Sequence, residues 1–293
     1  MKRNFRSLIY VLICLGLVQD AGAQKTKENK VLAKELQTLL GGFKGVSGLY
    51  VEDLKHKRTV ALQADTVFPT ASMIKVPILL GIAHKLQQKE LDYHQTLTYT
   101  QNLFYDDGDV VGNLKDSAKI ELSKVIMLML TTSDNTASLW LQQLAGTGTR
   151  INAIMDSLGY QHTRVNSRTP GREANRSQYG WGQTSPREMA RLMKDLVQGK
   201  YFADSLNDRL VRVLGRNYWD EQALSQIPPT VFVASKNGAV NASRSEVVYV
   251  KGEGREYVFC LITKNNQDTS WENNNEAWAL AKTISKILWE KLR

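Results

Sequence analysis

Strand patterns lie near both ends of this chain, and a long helical region separates them. A helical pattern at 28–41 is followed by two short strand patterns, at 48–52 and 59–62. The long middle, roughly 72–214, has helical periodicity broken by Gly- and Asn-rich loops. Strand patterns return only in the last third of the chain, at 230–235, 246–250 and 257–263, and a final helical pattern follows them.

The two groups of strands predict one antiparallel sheet that is assembled from both ends of the chain. The terminal helices would pack on this sheet, and the helical middle would form a second lobe. The predicted fold is therefore α/β, of the α+β type, with two lobes. A cleft between two such lobes is a natural place for a site.

Residues 1–23 have the features of a signal peptide. Three basic residues precede an apolar run at 8–18, and Ala21-Gly22-Ala23 offers a small-residue cleavage site. The run is too short for a comfortable transmembrane helix. We therefore expect a periplasmic or secreted domain at 24–293, with no stable membrane insertion. Lipid anchoring at Cys14 is the weaker alternative, because Ile13 before it is not a small residue.

Cysteine usage then allows no intramolecular disulfide. Cleavage removes Cys14 and leaves Cys260 alone in a strand-like apolar run, where a buried hydrophobe is the expected role.

Charge and histidine spacing exclude several other functions. The formal charge is +9, but Lys and Arg are spread along the chain without the basic stripe of a nucleic-acid site. The four histidines have no metal-ligand spacing with each other or with Cys260. No Gly-rich loop has the spacing that cradles phosphates. We therefore predict no metal, no cofactor and no nucleic-acid partner.

Ser72 and Lys75 are the first pair that carries chemistry. They stand three residues apart at the start of a helical pattern, so both side chains project from one face. A serine needs a nearby base to become a nucleophile, and a partly desolvated lysine can serve as that base. A Ser-x-x-Lys motif is expected about once by chance in a chain of this length, so the pair alone is weak evidence.

Two further motifs follow in the chain. Ser133-Asp134-Asn135 would either cap the helix that follows or aim Ser133 into the cleft, and both can hold together. Lys236-Asn237-Gly238 follows the strand pattern at 230–235. It would either hold a substrate carboxylate on an edge strand or form a plain hairpin turn, which Asn-Gly alone favours.

Taken together, the three motifs resemble the Ser-x-x-Lys, Ser-Asp-Asn and Lys-Thr-Gly set of class A β-lactamases and penicillin-binding proteins. The resemblance covers essentially the whole chain after residue 23 and implies the two-lobed fold. It also implies that Ser72 is acylated, that Lys75 helps to deprotonate it and that Ser133 relays a proton to the leaving nitrogen. Lys236 would orient Ser133 and the substrate carboxylate. The oxyanion would lie between the backbone N–H groups of Ser72 and Ala239.

The same resemblance implies further substrate contacts. Asn135 would contact the substrate side chain or brace Lys75, and Arg244 would help to bind the carboxylate. Asn237 and Gly238 would line the site on the strand edge. Tyr105 would either form a wall of the cleft or be an ordinary packed aromatic residue. The relatives are commonly monomers, and the implied substrates are small β-lactams or peptidoglycan peptides.

The chain departs from the family pattern in the loop that supplies the deacylating glutamate. Thr169 falls at the glutamate position and Glu173 at the position of the asparagine that follows. Ser167 and Gly182 replace the usual arginine and aspartate at the neck of this loop. Asn237 also replaces the hydroxyl residue of the Lys-Thr-Gly motif. These changes affect deacylation, whereas acylation needs only the serine, the lysine and the oxyanion site.

Three functions remain open at this point. Glu173 could supply the base from its displaced position, which would make the protein a β-lactamase. The loop could instead have lost the base, leaving a penicillin-binding peptidase- or esterase-like hydrolase. A non-catalytic binding relative is the third possibility, and the intact Ser72, Lys75, Ser133 and Lys236 argue against it.

Overall fold

The computed structural model describes residues 26–293. The predicted signal peptide, its cleavage site and Cys14 lie outside the described residues, so the boundary at 23 and 24 stays a prediction. The strands are β1 (Lys27–Glu28), β2 (Val46–Asp53), β3 (Arg58–Leu62), β4 (Phe68–Pro69), β5 (Thr96–Thr98), β6 (Lys119–Glu121), β7 (Arg164–Val165), β8 (Gly182–Thr184), β9 (Phe232–Val240), β10 (Ser243–Gly252) and β11 (Arg255–Lys264). The α-helices are α1 (Lys30–Gly41), α2 (Lys75–Gln87), α3 (Leu122–Thr131), α4 (Asn135–Leu144), α5 (Thr147–Ser157), α6 (Glu173–Tyr179), α7 (Pro186–Val197), α8 (Asp204–Leu214) and α9 (Glu276–Lys291).

The main sheet joins the two ends of the chain, as the element order predicted. Its strand order is β1-β3-β2-β11-β10-β9, so β2 from the start of the chain pairs antiparallel with β11 from its end. Only the two-residue β1 departs from the antiparallel pattern, because it pairs parallel with β3. The α+β prediction is confirmed.

The sheet is covered on both faces, which explains why β10 and β11 are almost continuously buried. On one face, α1 and α9 pack through leucines and isoleucines such as Leu36, Ile284 and Leu288. On the other face, the helical lobe packs around α2, whose buried residues surround the helix. The site described below lies where this lobe meets β9.

Helix α7 begins as its sequence suggests. The Ser185 side chain accepts a hydrogen bond from the Glu188 backbone N–H at 3.3 Å, and Pro186 occupies the first turn. This helix lies on β2, β10 and β11 and so links the helical lobe to the sheet.

The hairpin-turn interpretation of Lys236-Asn237-Gly238 is wrong. Strand β9 continues to Val240, because Asn237 pairs with Glu246 and Gly238 with Ser245 on β10. The glycine serves a close approach instead: a Cβ at Gly238 would lie 2.7 Å from the Ser72 backbone nitrogen.

Cys260 lies buried in β11 and is a free thiol. In the part of the chain from residue 26 onward, no helix is both long and apolar enough to cross a membrane.

Candidate active site

Ser72 and Lys75 lie where a 3₁₀ turn passes into an α-helix. Ser72 belongs to the turn Ala71–Ile74, and Lys75 is the first residue of α2. The Lys75 Nζ donates to Ser72 Oγ at 3.0 Å. The spacing of three residues therefore places the Lys75 amine and the Ser72 hydroxyl in direct contact, and their roles as base and nucleophile stay predictions.

The Lys75 ammonium group is the centre of the site's hydrogen bonds. Its side chain has no exposed surface. Its Nζ also contacts the Ser133 carbonyl oxygen at 2.7 Å, Ser133 Oγ at 3.1 Å and Asn135 Oδ1 at 2.7 Å. Burial lowers the pKa of Lys75 to about 7, although the charges of Asp109 and Asp134 oppose the shift. Near neutral pH a substantial fraction of the lysine is therefore unprotonated and able to accept the serine proton.

The Ser133-Asp134-Asn135 loop is held firmly on the N-terminus of α4. Asp134 caps the helix by accepting from the Ala137 N–H at 2.7 Å, which confirms the capping prediction. Asp109 accepts from the Asn135 N–H at 2.8 Å. Ser133 has a positive φ of 64°, a conformation that a non-glycine residue keeps only when its surroundings enforce it. Cap and loop together turn the Ser133 side chain toward Lys75.

Strand β9 supplies the other side of the site. Lys236 is fully buried, and its Nζ donates to the Asn237 carbonyl oxygen at 2.8 Å and to Asn237 Oδ1 at 3.1 Å. Burial and the nearby Lys75 charge hold the pKa of Lys236 well below its usual value, against the attraction of Glu246. Ala239 follows the close approach of Gly238 to Ser72, so its backbone runs past the nucleophile.

These elements enclose a groove with two halves that meet at Ser72. The Ser133 half has a volume of about 480 Å³ and is lined by Ser133, Asn237, Trp219, Glu221, Gln222 and Trp271, among others. The Tyr105 half has a volume of about 590 Å³ and is lined by Tyr105, Tyr179, Trp181, Val240, Ser243 and Lys264, among others. Ser72, Asn135 and Ala239 line both halves. The nucleophile is thus reachable from either side.

Tyr105 lies on the wall of the groove and packs against Trp181, with ring centroids 4.9 Å apart. Arg244 lies on β10 and does not line either half. Its guanidinium donates to four backbone carbonyl oxygens, those of Val240, Asn241, Ser243 and Ser270. It also stacks on Trp271 and Trp278, at 4.6 and 4.9 Å from their ring centroids. Carboxylate binding by Arg244 stays a prediction.

The loop residues aligned with the deacylation machinery lie away from the groove walls. Thr169 is buried, and its Oγ1 donates to the Ser167 carbonyl oxygen at 2.9 Å. Glu173 is exposed at the first turn of α6, where its carboxylate accepts the Gly171 N–H at 3.1 Å. Neither residue lines the two halves of the groove. A role of Glu173 in deacylation stays a prediction.

Hydrogen bonds between uncharged groups join the two ends of this loop. They lie at the neck, where Ser167 and Gly182 replace the family's arginine and aspartate. Val165 pairs with Gly182, and the Asn166 and Ser167 N–H groups both donate to the Trp181 carbonyl oxygen. The Ser167 Oγ donates to Gln142 Oε1 at 2.8 Å. A Cβ at Gly182 would meet Ile74 Cδ1 at 2.3 Å, so this position has no room for an aspartate.

Glu246 is a group near the site that the sequence did not single out. It is 3% exposed on β10 and accepts the Ala223 N–H at 3.1 Å. Burial raises its pKa to about 7, against the attraction of Lys236. A glutamate inside the predicted strand at 246–250 was the available signal, since charged residues are rare in buried strands. Within residues 26–293, no group of three or more His, Cys, Asp or Glu side chains is placed to hold a metal ion.

Comparisons with known proteins identify the family. The model of the beta-lactamase enzyme family matches residues 30–292. A β-lactamase of Streptomyces albus G is 30% identical over 263 residues, which cover 81% of this chain and 79% of that protein.

Solved structures share the fold. PBP-A, in an L158E mutant captured as an acyl-enzyme with penicillin G, superposes with a TM-score of 0.80 at 23% identity, covering 90% of this chain and 97% of that one. An ancestral class A β-lactamase superposes with a TM-score of 0.77 at 21% identity, covering 88% and 99%. The family match spans nearly all the described residues, and the shared fold accords with it. The chain therefore belongs to the beta-lactamase enzyme family and is a serine hydrolase with the class A β-lactamase fold.

Proposed function

We propose that the protein hydrolyses the amide bond of β-lactams through an acyl-enzyme on Ser72. The contact between Lys75 Nζ and Ser72 Oγ at 3.0 Å carries this proposal, because it joins a buried lysine of pKa about 7 to the only hydroxyl that lines both halves of the groove among the described residues. A β-lactam is an acyl donor small enough for either half.

Acylation follows from the contacts around Lys75. The neutral amine takes the proton of Ser72 Oγ while that oxygen attacks the lactam carbonyl carbon. The negative oxygen that forms lies between the N–H groups of Ser72 and Ala239. As the carbon–nitrogen bond breaks, Ser133 Oγ gives its proton to the leaving nitrogen. Ser133 regains a proton from Lys75 Nζ across 3.1 Å, so Lys75 ends neutral again.

Deacylation needs water to attack the ester carbon and release Ser72. In the proposed β-lactamase, Glu173 accepts the proton of this water, and the proton returns to Ser72 Oγ as the ester bond breaks. Replacing Glu173 with Gln then traps the acyl-enzyme, whereas turnover at the original rate contradicts the role of Glu173. Intact mass, recorded during reaction with a penicillin, follows the adduct.

The exposed position of Glu173 favours a second candidate function. If the loop supplies no base, the protein is a penicillin-binding hydrolase of the peptidase or esterase type, with a long-lived adduct on Ser72. The buried Thr169 is consistent with this outcome, because a threonine cannot accept the proton of water as a carboxylate does.

One experiment separates the candidates. Purified protein beginning near residue 24 is mixed with a penicillin and with a chromogenic cephalosporin, and absorbance and intact mass are followed together. Many turnovers with little adduct support the β-lactamase. A persistent adduct that is absent in Ser72→Ala supports the penicillin-binding hydrolase. Absence of any adduct and any turnover indicates a non-catalytic binding relative and contradicts both.

We also propose that the protein acts as a monomer outside the cytoplasm, after removal of residues 1–23. In that location it would meet β-lactams before they reach their targets and so contribute to antibiotic resistance. The basic, apolar and small-residue segments of the leader support export. N-terminal sequencing of the exported protein and sedimentation of the purified domain test these points.

A further inference from the structure

The two halves of the groove carry opposite charge. Asp106, Asp109 and Glu221 line the Ser133 half, and none of its described lining residues is a lysine or an arginine. Lys264 lines the Tyr105 half, where the described lining contains no acid. Lys75 and Lys236 are buried beneath the groove and expose no surface to it. The lining of the Ser133 half therefore presents carboxylates to a ligand, while the Arg244 guanidinium lies behind it against the rings of Trp271 and Trp278.

The position of Ser133 decides which part of a substrate enters this half. Ser133 lines only this half, and in the proposed reaction it protonates the leaving nitrogen. Apart from the ring carboxylate, which Lys236 and Arg244 are predicted to bind, groups attached to the ring of the leaving nitrogen thus extend over the Ser133 half. The acyl side chain, on the other side of the broken bond, extends toward Tyr105.

Tryptophan side chains in the Ser133 half are fixed before any ligand arrives. Trp219 is 46% exposed, and its Nε1 donates to the Thr132 carbonyl oxygen at 3.0 Å, beside Ser133. Trp271 is 58% exposed and packs on Trp278, with ring centroids 6.1 Å apart. The Arg244 guanidinium stacks on both of these rings and is itself bound to backbone carbonyls. Held in this way, the indoles lose little side-chain entropy on binding.

The acids differ in how available they are. Asp109 is occupied by the N–H groups of Asn135 and Thr136 and by the Thr136 hydroxyl. Glu221 is exposed and lies two residues after Trp219. A cation over an indole face is attracted by the ring quadrupole, and a neighbouring carboxylate adds to this attraction. Glu221 and Trp219 together thus favour a ligand group that is both planar and positively charged.

We propose that the Ser133 half of the groove is a subsite for a planar cationic group on the leaving-nitrogen side of the substrate. A pyridinium group on the six-membered ring of a cephalosporin has this chemistry. The inference rests on the proposed function and names the class of β-lactam that this groove selects.

The test compares two cephalosporins with the same acyl side chain. One carries a pyridiniummethyl group on the ring of the leaving nitrogen and the other an acetoxymethyl group. Second-order rates of acylation at Ser72 are measured by mass and divided by each compound's rate of alkaline hydrolysis, which removes intrinsic reactivity. We expect the unmodified protein to prefer the pyridinium compound about tenfold, within the range that a partly desolvated cation–π contact supplies.

Two variants test whether the preference for the pyridinium compound comes from the Ser133 half. Glu221→Gln and Trp219→Leu should each lower the ratio of the two rates about threefold. Asp220→Asn is the matched control, because Asp220 is the exposed neighbour of Glu221 but does not line the groove, and it should keep the ratio. A ratio near one in the unmodified protein overturns the inference, and so does an equal loss in Asp220→Asn.

Benzylpenicillin, which lacks the cationic group, serves as a third compound that tests acylation of Ser72 independently of the subsite. If benzylpenicillin and both cephalosporins acylate Ser72 at similar corrected rates, the subsite is wrong while the hydrolase stands. If none of the three compounds acylates Ser72, the proposed function itself fails. Because Glu221 is exposed, its amide variant tests the subsite even where Trp219→Leu folds poorly.

Discussion

Burial sets the protonation of the residues around the nucleophile. Lys75 is surrounded by acceptors from Ser72, Ser133 and Asn135, yet the loss of water outweighs the two nearby carboxylates and brings its pKa to about 7. A surface lysine would stay protonated at neutral pH and could not accept the serine proton.

The rate of acylation should therefore rise with pH and level off above about pH 7, since only the neutral amine is a base. Second-order acylation of the free enzyme by a penicillin, measured between about pH 5 and pH 9, reports this ionisation. Lys75→Arg keeps the charge but does not lose its proton, and should slow acylation about 10²- to 10⁴-fold at every pH. A flat profile in the unmodified protein would rule out Lys75 as the base.

Glu246 should make stability depend on pH. Its pKa is raised from 4.5 to about 7 in the folded protein, so between these values the folded state binds more protons than the unfolded state. The free energy of unfolding therefore falls as pH rises through this window, by roughly 2–3 kcal/mol from this group. Glu246→Gln should remove that fall. The free energy of unfolding of the variant, relative to that of the unmodified protein, should therefore increase from pH 5 to pH 8.

Urea unfolding at the two pH values measures this difference. Glu272→Gln is the control, because it removes an exposed carboxylate and should shift stability equally at both. If Glu246→Gln changes the free energy of unfolding equally at pH 5 and pH 8, Glu246 is ionised in the folded protein at both pH values.

At the scale of single residues, the sequence predicted which side chains meet in the site better than it predicted what packs around them. The residue types and order of a known motif predicted that Ser72, Lys75 and Ser133 come together, and the structure brings the three side chains into contact. The stacking of Arg244 against two tryptophans was not predictable, because those rings come from the segment between β11 and α9 and from α9 itself. Contacts of that kind depend on how distant segments pack.

At the scale of elements, β9 passes the 3₁₀ turn of Ser72 so closely that only a glycine fits at position 238. Gly238→Ala would place a Cβ 2.7 Å from the Ser72 nitrogen, 2.7 Å from the Thr70 carbonyl oxygen and 2.8 Å from Ser245 Oγ. Because two of these atoms belong to the backbone, the strand and the turn must separate.

We expect Gly238→Ala to slow acylation about 10²-fold, since the N–H groups of Ser72 and Ala239 would no longer converge on one oxygen. Stability should fall by about 1–3 kcal/mol. Gly41→Ala is the matched control, because a Cβ there meets nothing within 4 Å. Acylation at the original rate in Gly238→Ala would show that the oxyanion is held elsewhere.

Most elements were predictable from periodicity and caps, but their ends were not. The strand pattern at 230–235 stopped five residues before β9 does, because its last part is held by pairing with β10 and not by apolar alternation. The sheet β4-β8-β7 was missed, since its strands are only two or three residues long. The loop between β7 and β8 was located by motif alignment, while its path depends on hydrogen bonds to Gln142 and Gln183.

At the scale of the whole molecule, β11 lies between β2 and β10 in the middle of the sheet. Cys260 is buried there, and burial raises the pKa of its thiol well above the usual value. A local opening of one edge does not expose it, so its reactivity should report separation of the sheet as a whole.

A thiol reagent should therefore label Cys260 only as fast as the domain unfolds. The protein beginning near residue 24, which lacks Cys14, is treated with the reagent over a range of urea concentrations, and labelling is compared with unfolding followed by circular dichroism. We expect the two transitions to coincide, with no labelling in native buffer over the same period. Rapid labelling without urea would mean that β11 separates from its neighbours while the helical lobe stays folded.

The pairing of β2 with β11 also sets the order in which the protein becomes active during synthesis. Ser72 and Lys75 leave the ribosome early, whereas β9 and the strands that hold it in place come last. Contacts between such distant segments form only after the intervening chain is available. A growing chain therefore contains Ser72 and Lys75 long before it contains the strand that completes the groove around them, so the proposed acylation should require the strands β9, β10 and β11.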